Sequence, residues 1–424
     1  MRGELQRKEQ ESLRLRPPEE QKPRGMSPDG IGMHGKVDTT RLQSILKSFH
    51  EVSAGPRPAM IIDSGSSVCR VGLAGQSIPT CVFPSIVGRP RAGNQALQML
   101  GTAHGEICVG AEAQRKRGVL ALRHPVQQGI VRDWGDMESV WRHAFSEVGV
   151  SPQDTAVLLT EPAHNPLGNR ETSVEILFEK FAVPALYMGV QGTLAMLGHG
   201  TTSGIVVDSG DGLTQVTPVY GGHTLKYASR RMNLAGADLT AYLQTLLTEQ
   251  GNYFSSTAEM ELVREIKESM CYTALNYSEE LAAIKTPDRE YELPDGRQLN
   301  LGAECIKCPE LMFQPSLAGK PVSGIHETVA SCIEQLDPDM QGCMWGSVLL
   351  SGGTTMCKGF AERMQAELQR QATGPVSVLA PEDRQNLVWK GGAVLASTGN
   401  DMKLWFPKEA YDECGPAVVH RLFF

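Results

Sequence analysis

The run Ile61-Ile62-Asp63-Ser64-Gly65-Ser66-Ser67-Val68-Cys69-Arg70-Val71-Gly72-Leu73 passes from apolar residues through a short polar turn and back. That pattern predicts strand, tight turn, strand. Ile205-Val206-Val207-Asp208-Ser209-Gly210-Asp211-Gly212-Leu213-Thr214 repeats it 145 positions later (208 − 63). One polar-tipped hairpin is commonly plain structure; two matched ones predict two matched halves, each offering its turn to a shared cleft. Glycines and short hydroxyl residues let successive backbone N–H groups face an anion, as in phosphate cradles. Arg70 adds positive charge, and Asp63 and Asp208 are hard oxygen donors suited to Mg²⁺. A third turn, Ser351-Gly352-Gly353-Thr354-Thr355, ends the apolar Val348-Leu349-Leu350 and would let a ribose or base approach bare backbone.

At 424 residues with 41% hydrophobic content, the chain is long enough for two or three domains with their own cores. A net charge of −8 gives no reason to expect a direct nucleic-acid partner. No run approaches about eighteen consecutive apolar residues, and the charged N-terminus does not read as a secretory signal. An intracellular protein without a membrane span is therefore expected, with its 10 cysteines reduced and mostly buried. Cys305 and Cys308 have C-x-x-C spacing, but no second ligand pair accompanies them and structural thiols are expected.

Residues 1–57 mix charge with proline and glycine and read as a mobile extension. Within it, Leu42, Ile45, Leu46 and Phe49 share one face of an expected helix over Thr39 to Val52, suited to docking a partner or packing on the body. From Pro58 onward, apolar strands alternate with helical periods, the mark of an α/β architecture. Val157-Leu158-Leu159-Thr160 predicts a buried strand. A helix is expected from Asn169, as cap, to Phe181, with a stripe of Val174, Leu177, Phe178 and Phe181. Arg89 to Arg117 is poor in apolar periodicity and predicts a small exposed lobe with a flexible loop. Ser256 to Ala274 predicts a helix opened by a Ser256/Glu259 capping box, its apolar side Met260, Val263, Ile266 and Met270. Lys267 and Glu268 lie off that stripe, free to face a ribose or base or, for Glu268, to pair with Arg264 on the helix surface.

Longer stretches add a resemblance. Phe83-Pro84-Ser85-Ile86-Val87-Gly88-Arg89-Pro90-Arg91, the second hairpin, Tyr291-Glu292-Leu293-Pro294-Asp295-Gly296, Gly324-Ile325-His326-Glu327-Thr328, Ser351-Gly352-Gly353-Thr354-Thr355-Met356 and Tyr411-Asp412-Glu413-Cys414-Gly415-Pro416 are ordered as in actin. From about Met60 onward the chain resembles the actin family and its divergent, actin-related members. The resemblance implies the actin-like ATPase fold: two ribonuclease-H-like α/β domains with peripheral lobes around a nucleotide cleft, closing on Mg²⁺ with ATP or ADP. It implies a first-domain core of 58–84, 128–198 and 387–424 with an outer lobe of 85–127. The second core would be 199–234 and 321–386, with a lobe of 235–320. By position, Ser66, Ser67, Arg70, Asp208, Gly210, Asp211 and Gly212 would face phosphates and metal, with Asp63 and Asp208 holding Mg²⁺ through water. Lys267, Glu268, Gly353, Thr354 and Met356 would surround ribose and base, and Gln191 would position the attacking water at the domain hinge.

Departures matter as much. The second water-relay residue, a histidine in the family, is Gln215; the cradle's glycine is Ser67 and its lysine Arg70; the modified histidine is Gln128. Gln385 and Asn386 replace a lysine and an aromatic on the adenine side, so weaker adenine binding is expected. The outer loop Ala92 to Gly105 is longer than actin's, and the plug-like Leu317-Ala318-Gly319-Lys320-Pro321 carries a charge. Lys390 and Asp401 stand at apolar positions of the partner cleft between 197–200 and 390–404, which could take a partner helix or peptide. The expectation is a divergent actin-like structural protein: at most a slow ATPase, poor at self-polymerisation, and a subunit or scaffold among actin-like or actin-binding cytoskeletal proteins. The cytoplasmic cytoskeleton is its expected location, with the nucleus and male germ cells as further family-level expectations. A filament-forming actin-type ATPase is the alternative, and a sugar kinase or Hsp70-type ATPase a remote one.

Overall fold

The computed structural model describes residues 58–90, 107–287, 289–398 and 404–422. The extension 1–57 with its expected helix, the outer loop Ala92 to Gly105 and Asp401 lie outside the described residues.

Two sheets organise the chain. The first contains β1 (Ala59–Ser64), β2 (Val68–Leu73), β3 (Ala156–Glu161) and β4 (Ala185–Val190), in the order Phe406–Pro407, β4, β3, β1, β2, Cys81–Pro84. The second contains β5 (Gly204–Ser209), β6 (Thr214–Tyr220) and β7 (Val348–Ser351), in the order His223–Thr224, β6, β5, β7, Val378–Leu379, with Arg230–Met232 also paired to β6. The internal duplication is topological. β1–β2 and β5–β6 are antiparallel hairpins, and the first strand of each lies parallel to the next strand inward, β3 or β7. Register agrees as well: Asp63 pairs with Arg70, and Asp208 with Gln215.

The parallel strands are apolar on both faces because both faces are covered. Val206 and Leu349 join Ile61 and Leu158 of the other sheet in one core, together with Leu194 of α1 (Gln191–His199) and Trp389. Ile205, Val207 and Leu350 belong to a second core, which also takes in Leu239 and Leu243 of α2 (Gly236–Glu249) and Val263 and Ile266 of α3 (Thr257–Met270). Trp389 belongs to α4 (Leu387–Thr398). Helices α1 and α4 meet without side chains between them: a Cβ on Gly391 would overlap the Leu194 carbonyl, and one on Gly198 the Leu387 carbonyl. The chain thus passes from the first sheet to the second just beyond α1 and returns at α4, and these two crossings touch.

Most sequence expectations stand. The 157–160 strand is buried throughout, and Val174, Leu177, Phe178 and Phe181 form a buried stripe. The helix carrying that stripe begins earlier than expected, at Leu167 behind Pro166, and widens into a π turn over Ile176–Lys180. Asn169 is no cap: its N–H already bonds to the Pro166 carbonyl at 3.0 Å within the first turn. Ser256 and Glu259 do form the capping box of α3, but the helix stops at Met270 rather than Ala274. The Thr273 N–H is drawn to the Lys358 carbonyl at 2.8 Å in a parallel bridge, which takes the chain out of the helix. Around the expected outer lobe, Val87–Pro90, Cys108–Val109 and Leu120–Arg123 form a three-stranded sheet over Ile86, Cys108, Ala113 and Leu120.

Candidate functional site

Each hairpin closes with the same bond, Gly65 N–H to the Val68 carbonyl and Gly210 N–H to the Leu213 carbonyl, both 3.0 Å. The matched turns point at each other. Ser66 of the first packs so closely on Gly212 of the second that a Cβ at Gly212 would overlap the Ser66 hydroxyl. Gln128-Gly129 lies beside both tips: the Gly129 N–H donates to Ser66 Oγ at 3.2 Å, and Arg231 Nη2 donates to the Gln128 carbonyl at 2.7 Å. Only the resemblance had drawn attention to Gln128; a glycine at 129 carries no sequence signal of its own.

Between the turns lies a cavity of about 410 Å³, within the range of small-molecule and cofactor sites. Every expected site residue lines it: Asp63, Ser66, Ser67 and Arg70 from the first hairpin; Asp208, Gly210, Asp211, Gly212 and Gln215 from the second; Gln191 from α1; Lys267 and Glu268 from α3; and Gly353, Thr354 and Met356 after β7. Sequence reasoning missed others on the same wall, notably Gly236, Arg264 and the thiol-bearing Cys271, Cys308 and Cys357. Scattered cysteines in apolar text read only as core residues. Cys305 and Cys308 sit buried on the Glu304–Glu310 helix, and the Cys271 thiol hydrogen-bonds to both.

The two carboxylates are held alike. Thr160 Oγ1 on β3 donates to Asp63 Oδ1 at 2.7 Å, and Ser351 at the equivalent place on β7 hydrogen-bonds to Asp208. Burial pushes the Asp208 carboxyl up to about 6; the neighbouring Asp63 charge adds to the rise, and Ser351 and Arg70 work against it. Two carboxylates, Asp63 buried and Asp208 half-buried, that repel each other beside one guanidinium fit a divalent cation, whose charge would relieve that repulsion.

Gln215 and Gln191 are joined in a chain of defined polarity. The backbone N–H of Ala163 donates to Gln215 Oε1 at 3.0 Å, so the Gln215 amide nitrogen is the end that donates to Gln191 Oε1, at 3.1 Å. Because a backbone N–H can only donate, this fixes both amide orientations.

On the opposite side, Lys267 is less free than expected. It lines the cavity, yet its ammonium donates to the Gly236 carbonyl and Thr240 Oγ1, both 2.9 Å away on the first turn of α2. Glu268 pairs with Arg264 at 3.5 Å, while Arg264 reaches Glu261 more closely, at 2.6 Å. Gly352 has φ of +87° and its α-carbon lies against the Ser209 backbone, so a side chain fits there neither by conformation nor by space. Thr354 Oγ1 donates to the Gly210 carbonyl at 2.7 Å, linking the third turn to the second hairpin.

A family model described as actin matches residues 55–424, most of the chain. The chain belongs to the actin family. Its two sheets, duplicated hairpins and interdomain cavity are the actin-like ATPase fold, and members of this family bind nucleotide with a divalent metal. Actin-family proteins work with actin-related partners in the cytoskeleton. Among the described residues, no helix is long and apolar enough to cross a membrane.

Two of the charges noted in the sequence have partners. Lys320 on the plug-like stretch is ion-paired with Asp238 on the first turn of α2, and Asp238 also accepts from the Ala235 N–H at 3.0 Å. Lys390 is ion-paired with Asp383. Lys390 finds its acid across a turn, 7 positions back, and Lys320 finds its own 82 positions away, pairings invisible to a residue-by-residue reading.

Proposed function

We propose that this actin-family protein binds MgATP or MgADP in the cleft, with Asp63 and Asp208 holding the cation through water. Phosphates lie against Ser66, Ser67, Arg70, Gly210, Asp211 and Gly212; ribose and base lie against Lys267, Glu268, Gly353, Thr354 and Met356. The convergence of both hairpins on one cavity, each with a threonine- or serine-held carboxylate, carries this reading. The domain limits given above are proposed with it, the cleft lying between the first core and the second. Thermal denaturation of the full chain with and without MgATP tests it. A concentration-dependent rise in Tm is expected, and no shift up to millimolar nucleotide sinks the reading.

Hydrolysis is slow at best. A glutamine can orient a water but is a poor proton acceptor. Here the acceptor end of Gln215 is taken by the Ala163 N–H and that of Gln191 by Gln215. The protein serves as a cytoskeletal or scaffold subunit that self-polymerises poorly. The support is charge on the plug and in the partner cleft: ion-paired or not, Lys320 with Asp238 and Lys390 with Asp383 must be desolvated in a dry contact. A partner helix or peptide of complementary charge would suit the cleft near Lys390. Sedimentation in MgATP and salt decides between this and the filament-forming alternative. Protein left in the supernatant is expected, and pelleting at micromolar concentration with regular filaments by electron microscopy overturns it.

A further inference from the structure

Arg70 does not reach into the cavity alone. Its Nε donates to Asn386 Oδ1 at 3.0 Å, and its Nη1 lies 3.8 Å from Asp63 Oδ2. Among the described residues these are its side-chain partners, which leaves the Nη2 edge of the planar fork for a ligand. Asn386 is itself firmly placed. It ends the Arg384–Asn386 turn immediately before α4, and its N–H donates to the Asp383 carbonyl at 2.8 Å. That turn is tied to the third glycine loop: Arg384 donates through Nη2 to the Thr355 carbonyl at 2.8 Å and through Nε to Thr355 Oγ1 at 3.2 Å. The Gly352 N–H donates back to the Arg384 carbonyl at 3.3 Å. A chain of hydrogen bonds therefore runs from the loop after β7, through Arg384 and Asn386, to the guanidinium beside Asp63.

We infer that Asn386 is a positioning residue that aims the Arg70 guanidinium at the phosphates of the bound nucleotide. The inference rests on the nucleotide reading above and names the device that makes an arginine serviceable there. An arginine side chain has many rotamers to lose on binding an anion; one whose Nε is already anchored loses fewer, and its remaining donors are presented in one plane. Asn386 thus acts on phosphate affinity rather than on the base, although it lies next to the cavity-lining Gln385. It also makes phosphate binding depend on the glycine loop that would hold the nucleoside, because the same turn clamps both.

The test is a double-mutant cycle read by calorimetric titration of MgATP into the full chain: wild type, Asn386→Leu, Arg70→Lys and the double variant, with Asn386→Ala replacing Asn386→Leu if the leucine variant melts early. Lysine keeps the charge but has no Nε–H for Asn386. Loss of one charge-assisted bond should weaken MgATP by about tenfold in Asn386→Leu, and the double variant should bind as Arg70→Lys does. Equal weakening by Asn386→Leu in both backgrounds would mean a merely structural role and overturns the inference, as does wild-type affinity in Asn386→Leu. Absence of any MgATP binding to wild type defeats the nucleotide reading and this inference together; wild-type binding unaffected by Asn386 defeats the inference alone.

Discussion

The two hairpins share fold, register, closing hydrogen bond and a carboxylate held from the neighbouring parallel strand, yet they differ at the residue opposite that carboxylate. Opposite Asp63 stands Arg70; opposite Asp208 stands Gln215. The backbone is what duplication preserves, while the facing position is where each copy takes up separate chemistry. The first copy has a counter-charge beside its acid. The second has a neutral amide locked to Ala163 and Gln191, and its acid is the one pushed up to about 6. If the cleft takes a magnesium nucleotide as proposed, the first hairpin would serve as an anion clamp, and the second as a metal-dependent wall with a restrained pair of glutamines.

The largest expected effect that separates the copies is removal of the less compensated acid. Asp208→Ala should abolish the Tm rise with MgATP, a loss of a hundredfold or more in affinity. Asp208→Ala with an undiminished shift would break the comparison. A pH titration comes next. The Asp208 carboxyl titrates at about 6 in the folded chain against a reference value of 3.8. The folded state therefore holds its proton more tightly than the unfolded state. Without divalent metal, this group's contribution to stability is complete below pH 4 and is lost as pH rises through about 6, at a cost of at most about 3 kcal/mol. Denaturant melts at pH 4.5 and 7, with and without Mg²⁺, check the sign; Mg²⁺ should restore stability at the higher pH.

Gln215→His should speed single-turnover phosphate release by about tenfold, by supplying a proton acceptor where an amide now stands; an unchanged rate would place the limit elsewhere. The smallest effect probes the shared feature. Thr160→Val should cost about 1 kcal/mol of stability by leaving Asp63 short of its hydroxyl donor, and Ser351→Ala a similar amount. Denaturant midpoints that differ widely between the two would show that the copies hold their acids by different means.

The sequence made the duplication visible because both turns combine an apolar run, Asp-Ser-Gly and a return strand, and a strand period flips every side chain if it slips by one. The turn at Gly353-Thr354 and the off-stripe Lys267 and Glu268 were legible as candidates in local pattern, but Gln191 and Met356 only through longer family motifs, since nothing in local periodicity distinguishes a residue facing a cavity from one facing water. Asn386 read as a lost base contact; its bond to Arg70 spans 316 positions, and no local rule reaches that far. The ion pair of Lys320 with Asp238, 82 positions away, was missed for the same reason, as was the early end of α3, which a single bridge to Lys358 dictates; Lys390 and Asp383 are only 7 positions apart, but the turn between them is what brings them together. Tertiary hydrogen bonding overrode local propensity in each case.

The glycine contact between α1 and α4 has a mechanical consequence. Two rods whose backbones touch, with no side chains as padding, can roll against one another but cannot move closer, so the contact behaves as a dry bearing. Both strands of chain that connect the halves run through it, and the cleft is the long arm of the lever it supports. A tilt at such a fulcrum would leave the bearing almost unchanged while separating the hairpin tips by a distance that grows with the arm. What permits that geometry is the absence of two methyl groups, at Gly198 and Gly391.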